Sequence, residues 1–196
     1  MKIKNRVFAA ALLVAGAAIV TTGSLAYFTA EDTATNVITS GNLDIKIEEW
    51  AIDPSNPNAE PVAFVNVEGV MPGTDVSKIV TVRNTGDNEA WIRVSYDLAI
   101  QLADDVLGVP DNSLVTLDFN TAYWTDGEDG YWYYNAEVPS GEVTEPFFTT
   151  VSFDIEMDNK YQNSIVVIDI DAQAVQTANN GATVMDAQGW PLEELN

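Results

Sequence analysis

EAWIRVSYDLAI, Glu89 to Ile100, decides the class of fold. Its apolar residues fall at every second position: Ile92, Val94, Tyr96, Leu98 and Ile100 on one side, with Trp91, Arg93, Ser95 and Asp97 on the other. Strict alternation is the period of a strand with one buried face. The same pattern runs outward in both directions. Upstream, Leu43, Ile45 and Ile47 alternate with Asp44, Lys46 and Glu48. VAFVNV (Val62–Val67) reads as a short strand after the Pro/Asn-rich loop DPSNPNAEP, and SKIVTVRN as another between the turns Met71–Thr74 and Asn84–Asn88. Downstream, LVTLDF, TAYWT and YWYYNA are short aromatic strands broken by the turn Asp126–Gly130. FFTTVSFDIEM places Val151, Phe153, Ile155 and Met157 on one face, and SIVVIDIDAQAVQT does so with Val166, Ile168 and Ile170. No segment keeps a helical period for three turns; a single helical turn fits Asn159 to Asn163. About eight strands with Gly/Pro/Asn turns predict an all-β fold, an antiparallel β-sandwich with short helical turns.

The 196 residues accommodate one such domain plus an export leader. A hydrophobic fraction of 46% supports a sizeable core. Charge is lopsided, with 8 basic against 30 acidic residues. Three of the bases (Lys2, Lys4, Arg6) precede the apolar run Val7–Val20, so the remainder sets five bases against all the acids. Such a surface repels phosphate backbones and anionic headgroups, which excludes nucleic acid and membrane surfaces as partners. With neither Cys nor His, stability rests on burial and backbone hydrogen bonds rather than on disulfides.

MKIKNR, the apolar run and TTGSLA have the three-part layout of a secretory signal. The run is shorter than the roughly 20 residues a membrane span needs. Ser24 and Ala26 stand at −3 and −1, so cleavage is expected between Ala26 and Tyr27, leaving a secreted protein with no stable membrane anchor. Three parts follow: residues 1–26 as signal peptide, 27–41 as an extended N-terminal segment, and 42–196 as the sandwich domain.

Three blocks carry a family resemblance. They are SLAYFTAEDTATNVITSGNLDI at the signal junction, MPGTDVSKIVTVRNTGDNEAWIRVSYDL with Pro72, Gly73, Asn84 and Gly86, and NKYQNS with Asn159, Tyr161, Asn163 and Ser164, followed by Asn179-Asn180-Gly181. Together they resemble the camelysin/TasA family of secreted Gram-positive matrix proteins. The resemblance implies a jelly-roll fold, processing by a dedicated signal peptidase, and assembly at the cell surface into biofilm matrix fibres, with an accessory matrix protein as a further partner. It also implies that the N-terminal segment of one copy inserts as a strand into the sheet of the next. On this chain that donor strand begins at Tyr27 and Phe28 and includes Val37 and Ile38. The residues themselves leave two readings of the segment, donation to a neighbouring sheet edge or folding back onto its own domain.

Family members named camelysin are described as metalloproteases, so an enzyme is the rival expectation. Zinc hydrolases are built on imidazole and thiolate ligands, and a Ser-His-Asp triad needs a histidine; this chain has none of these groups. The expectation is therefore a structural subunit, not an enzyme, with an exported monomeric binding module as the alternative. Trp124 and Tyr131 to Tyr134 could form a sugar-stacking face, but the simpler reading is core. Asp126, Glu128 and Asp129 suggest a Ca²⁺ loop, yet their spacing departs from the EF-hand pattern and fits an acidic hairpin turn. No cofactor is expected otherwise.

Overall fold

In a computed structural model of the chain, residues 28–32, 36–39, 43–53 and 55–191 are described. The leader and the cleavage position at Ala26 and Tyr27 lie outside them. Two β-sheets pack face to face. The first joins β1 (Phe28–Asp32), β2 (Asn36–Thr39), β5 (Val67–Val70), β7 (Ala90–Gln101), β9 (Trp124–Asp126), β10 (Trp132–Tyr134) and β12 (Ser164–Gln176). The second runs β4 (Val62–Ala63), β3 (Ile45–Ala51), β6 (Asp75–Asn84), β11 (Phe148–Phe153), β8 (Val115–Leu117).

The alternating sequences explain this layering. Ile92, Val94 and Ile100 of β7, with Val166, Ile168 and Ile170 of β12, face Ile45, Ile47, Val80, Val82, Val151 and Phe153 of the other sheet, and all are buried. Each such side chain contributes roughly 1.5–3 kcal/mol of burial. β7 and β12 form the spine, paired antiparallel along their whole length from Ala90↔Gln176 to Gln101↔Ile165. At one end of the sandwich Phe147 is fully buried among the rings of Phe119, Trp124, Trp132 and Phe148.

The structure differs from the alternation at several places. VAFVNV is not one strand: β4 and β5 take its two ends, and Val65 between them is 73% exposed. Ile155 does not continue the inward face of β11. The strand ends at Phe153, and Asp154, which accepts from the Glu156 N–H, starts a turn that leaves Ile155 81% exposed. The division of VAFVNV, with β1 and β2 of the N-terminal segment, brings the strands among the described residues to twelve, while β8, β9 and β10 fall on the three short aromatic strands expected. Nor is pairing antiparallel throughout: β1 and β2 both lie parallel to β12.

An outer layer was not anticipated. Residues after β12 turn back across the sheet through a 3-10 turn at Val184–Asp186 and bury Trp91, Tyr131, Tyr133 and Val175 beneath Val184, Ala187 and Trp190. The aromatic YWYY stretch is thus divided between two cores, Tyr134 in the sandwich and Tyr131 with Tyr133 outside it.

Candidate functional site: the slot along the last strand

β12 is hydrogen-bonded to β7 on one edge. Among the described residues its other edge is covered by the N-terminal segment alone. Phe28 to Asp32 pair with Ser164 to Ile168, and Asn36 to Thr39 pair with Asp171 to Ala174. From Phe28 to Asn36 is eight steps, from Ser164 to Asp171 seven, so the segment gains one residue as it follows the strand. The segment expected to lack a partner in its own chain therefore has one: Phe28 sits opposite Ser164, Val37 opposite Ala172 and Ile38 opposite Gln173.

The slot has a second wall. β5 runs antiparallel to β1, with Phe28↔Val70, Thr29↔Glu68 and Ala30↔Val67. Between the first two pairs Gly69 is the extra residue, at φ 72°. Such a bulge needs the left-handed backbone that glycine adopts without cost. Without the N-terminal segment, β5 would lose its only strand neighbour among the described residues and one edge of the thirteen-residue β12 would be uncovered. A long apolar edge of that kind is a template for any extended chain.

The residues singled out by family resemblance hold the ends of both walls. Pro72 and Gly73 follow β5 directly. Gly73, at φ 72°, donates its N–H to the Phe153 carbonyl at 2.8 Å, and the Phe153 N–H donates to the Thr74 carbonyl at 3.0 Å, fixing the turn to β11. At the start of β12 the 3-10 turn Asn159–Tyr161 is capped by Asp158, whose carboxylate accepts from the Lys160 N–H. Tyr161 is buried and its hydroxyl accepts from the Asp111 N–H. Asn163 takes φ 60°, and the buried Ser164 hydroxyl donates to the Tyr161 carbonyl at 2.7 Å. Both turns thus converge on the slot end where Phe28 lies in register between Val70 and Ser164. Asn84 and Gly86 serve elsewhere. The fully buried Asn84 amide donates to the carbonyls of Asn88 and Val138 and accepts from the Gly86 N–H, closing the β6–β7 turn. Asn180, from the last family block, ties the outer layer: its carbonyl accepts from the Trp91 indole, and its side chain exchanges two hydrogen bonds with Gln188.

The acidic turn does not gather its carboxylates at one point. Asp126 accepts from the Glu128 N–H, while Asp129 accepts from the Tyr131 N–H and the Tyr133 hydroxyl. Burial pushes the Asp129 carboxyl up, but those hydrogen bonds and the nearby Arg93 leave it below the usual carboxylate range. Arg93 is itself enclosed. Its guanidinium lies 3.7 Å from the Tyr131 ring centre and 4.7 Å from that of Trp190, and it donates to Gln173 and the Tyr133 hydroxyl. That is a filled cage, satisfied by its own chain.

Sequence reasoning missed β5 as the second wall and the parallel mode of pairing. Gly69 inside an apolar run was the one available signal, since isolated glycine in a strand pattern marks a bulge. Among the described residues no three acidic side chains come together as a metal-holding group. Nor is any helix there long and apolar enough to cross a membrane.

Comparison with known proteins gives one family. Residues 2–94 match the family described as camelysin metallo-endopeptidase. The match covers the leader, the N-terminal segment, the β5 wall and the Pro72–Gly73 turn, and ends within β7; the third block lies beyond it. No curated protein and no solved structure matches the chain.

Proposed function

We propose that this chain, camelysin-like across residues 2–94, is a secreted structural subunit that polymerises by lending its N-terminal strand to a neighbour. The observation that carries the reading is the slot. One terminal segment completes the sheet by covering the edge of β12 and bridging it to β5. An element of this kind can leave its own slot and fill an identical one next door, with the same hydrogen bonds made in each case. Because donor and slot are different surfaces, the exchange need not be reciprocal, and a one-way exchange that does not close into a ring propagates as a fibre. The matching copy serves as partner, at the cell surface, after a signal peptidase has freed Tyr27.

The test uses the absence of native cysteine. Thr29 and Glu68 are register partners on β1 and β5, close enough for a disulfide after Thr29→Cys and Glu68→Cys. In fibres, oxidation is expected to link separate subunits into a ladder on a non-reducing gel; in monomers it locks the segment at home and blocks assembly until reductant is added. Fibres whose oxidised subunits all run as single chains would refute the exchange. Deleting residues 27–40 is expected to abolish fibres seen by electron microscopy.

The family's description offers a second reading, a metallo-endopeptidase. A metal here would have carboxylates as its only charged side-chain ligands, and the described residues bring no three of them together. That donor set does not fit a zinc centre, and no catalytic step is derived from one. Casein cleavage lost on chelation, by protein free of other proteases, would establish the enzyme instead.

A further inference from the structure

On the opposite side of the spine the sandwich is open. β10 pairs with β7 at Arg93 and Val94 only, so β7 continues past it from Ser95 to Gln101 with no strand on that edge among the described residues. Across the gap, β8 is the last strand of the other sheet. A cleft of about 750 Å³ lies between them. That is within the roughly 300–1,000 Å³ typical of small-ligand sites.

Its floor is aromatic. Phe119 and Trp132 stack at 4.7 Å and 25°, and Tyr96 tilts against Phe119 at 4.9 Å; Tyr96 is 38% exposed. Tyr96 belongs to the inward face of β7 by alternation, yet its ring ends in the cleft. Around this floor stand Asp126 and Thr116. Among the described residues the Asp126 carboxylate pairs with no cation, and no hydrogen bond engages the Tyr96 or Thr116 hydroxyl.

Two classes of occupant suit an open strand edge and an aromatic floor: an extended peptide and a sugar chain. Asn112 decides between them. Its side-chain amide donates to the Leu98 carbonyl and accepts from the Ile100 N–H, as a neighbouring strand would. What remains of the edge is too short to add a strand, which draws on a row of backbone groups. Rings with an apolar face and equatorial hydroxyls instead match a stacked aromatic floor beside acceptor oxygens. The carboxylate rim, on a chain of net charge −22, repels anionic sugars.

We propose that the cleft between β7 and β8 binds a short oligosaccharide of uncharged or protonated amino sugars, stacked on Trp132 and Tyr96 and hydrogen-bonded by Asp126 and Thr116. This goes beyond the polymerisation reading and does not depend on it, since the slot along β12 and the cleft lie on opposite sides of the β12–β7 pair.

The experiment is titration of the mature chain with cellohexaose, a glucosamine hexamer and an oligogalacturonate, followed by calorimetry and amide NMR. Either of the first two is expected to bind with millimolar or better affinity, about −4 kcal/mol or stronger, and to shift the Trp132 indole and the Tyr96 and Thr116 amides. The oligogalacturonate is expected to leave them unmoved. Tighter binding of the glucosamine hexamer, lost in Asp126→Asn, identifies an amino sugar; equal binding of both identifies a neutral one. Asp126→Asn and Tyr96→Phe are each expected to weaken binding about fivefold while thermal unfolding is unchanged. Because Trp132 also packs on Phe147, Trp132→Phe tests the ring while keeping the core filled. The proposal is overturned if neither sugar moves these resonances at about 10 mM, a concentration well above a millimolar Kd. It is equally overturned if Asp126→Asn and Trp132→Phe bind as well as wild type, or if a peptide of residues 27–41 occupies the cleft and the sugars do not.

Discussion

Lys78 Nζ lies 2.8 Å from Glu49 Oε1 inside the sandwich, with side-chain exposures of only 3% and 12%. The ammonium also sits 4.1 Å from the centre of the Phe64 ring. A desolvated pair of this kind contributes little net stability, because removing both charges from water costs about what their attraction returns, whereas deleting one partner strands the other.

Lys78→Ala is accordingly expected to destabilise by about 3–5 kcal/mol, and Lys78→Met with Glu49→Gln to recover most of that loss. Urea unfolding of the three proteins checks it. Equal losses in both variants would mean that packing, not charge, sets the cost.

Asp97 and Asp169 are register partners on β7 and β12, directly opposite on the outer face. Like charges so placed repel by roughly 0.2–1 kcal/mol. Asp97→Asn is expected to raise the melting temperature at low ionic strength, and the gain to shrink near 1 M salt, where screening extends only about 3 Å. A gain independent of salt would point to something other than charge.

Asp118 accepts hydrogen bonds from Thr149 and Thr150, which between them supply two backbone N–H groups and the Thr149 hydroxyl. Burial pushes its carboxyl up, but these donors bring it below its ordinary value of 3.8, and Asp129 is lowered in the same sense. A carboxylate with a depressed folded pKa contributes stability that is present above the unfolded value and is lost as pH falls through the folded one. Stability is therefore expected to drop below about pH 4, and Asp118→Asn to cost about 1 kcal/mol at neutral pH while flattening that acid limb. Thermal melts across pH 2.5–7 would show an unchanged slope if the carboxylate were not responsible.

Gly181 has φ 81°, and a Cβ placed there would stand 2.9 Å from the Asp186 carbonyl carbon. Gly181→Ala is expected to cost about 1–3 kcal/mol by lifting the outer layer from Trp91, with the sandwich intact. A red-shifted tryptophan emission with unaltered far-ultraviolet dichroism is the signature; an unshifted emission spectrum would mean that the turn absorbs the added methyl.

The long strands were legible because Ile92, Val94 and Ile100, like Val166, Ile168 and Ile170, alternate over enough residues for the period to be unmistakable. Short strands were less so: Val62 and Val67 share a run that the exposed Val65 interrupts, and Ile155 keeps the parity of β11 beyond the point where Asp154 turns the chain. The slot was half legible. Thr and Ala spacing marked residues 27–41 as extended, but pairing with β12 is a relation between residues 136 positions apart, such as Phe28 and Ser164, and no local pattern encodes it. The outer layer escaped for a different reason. Tyr131 and Tyr133 alternate with Trp132 and Tyr134, so the run is apolar on both faces, and periodicity does not say which face receives a second cover.

The pairing of Phe28 with Ser164 also fixes an order in time. The chain makes its opening strand first and the edge that receives it last, so every subunit passes through an interval in which it owns a finished strand and no berth. Closing so long a loop is entropically expensive and slow. On the polymerisation reading proposed above, a neighbour whose own slot stands open offers the same berth without the wait, so local crowding at the site of synthesis would raise the share of linked subunits.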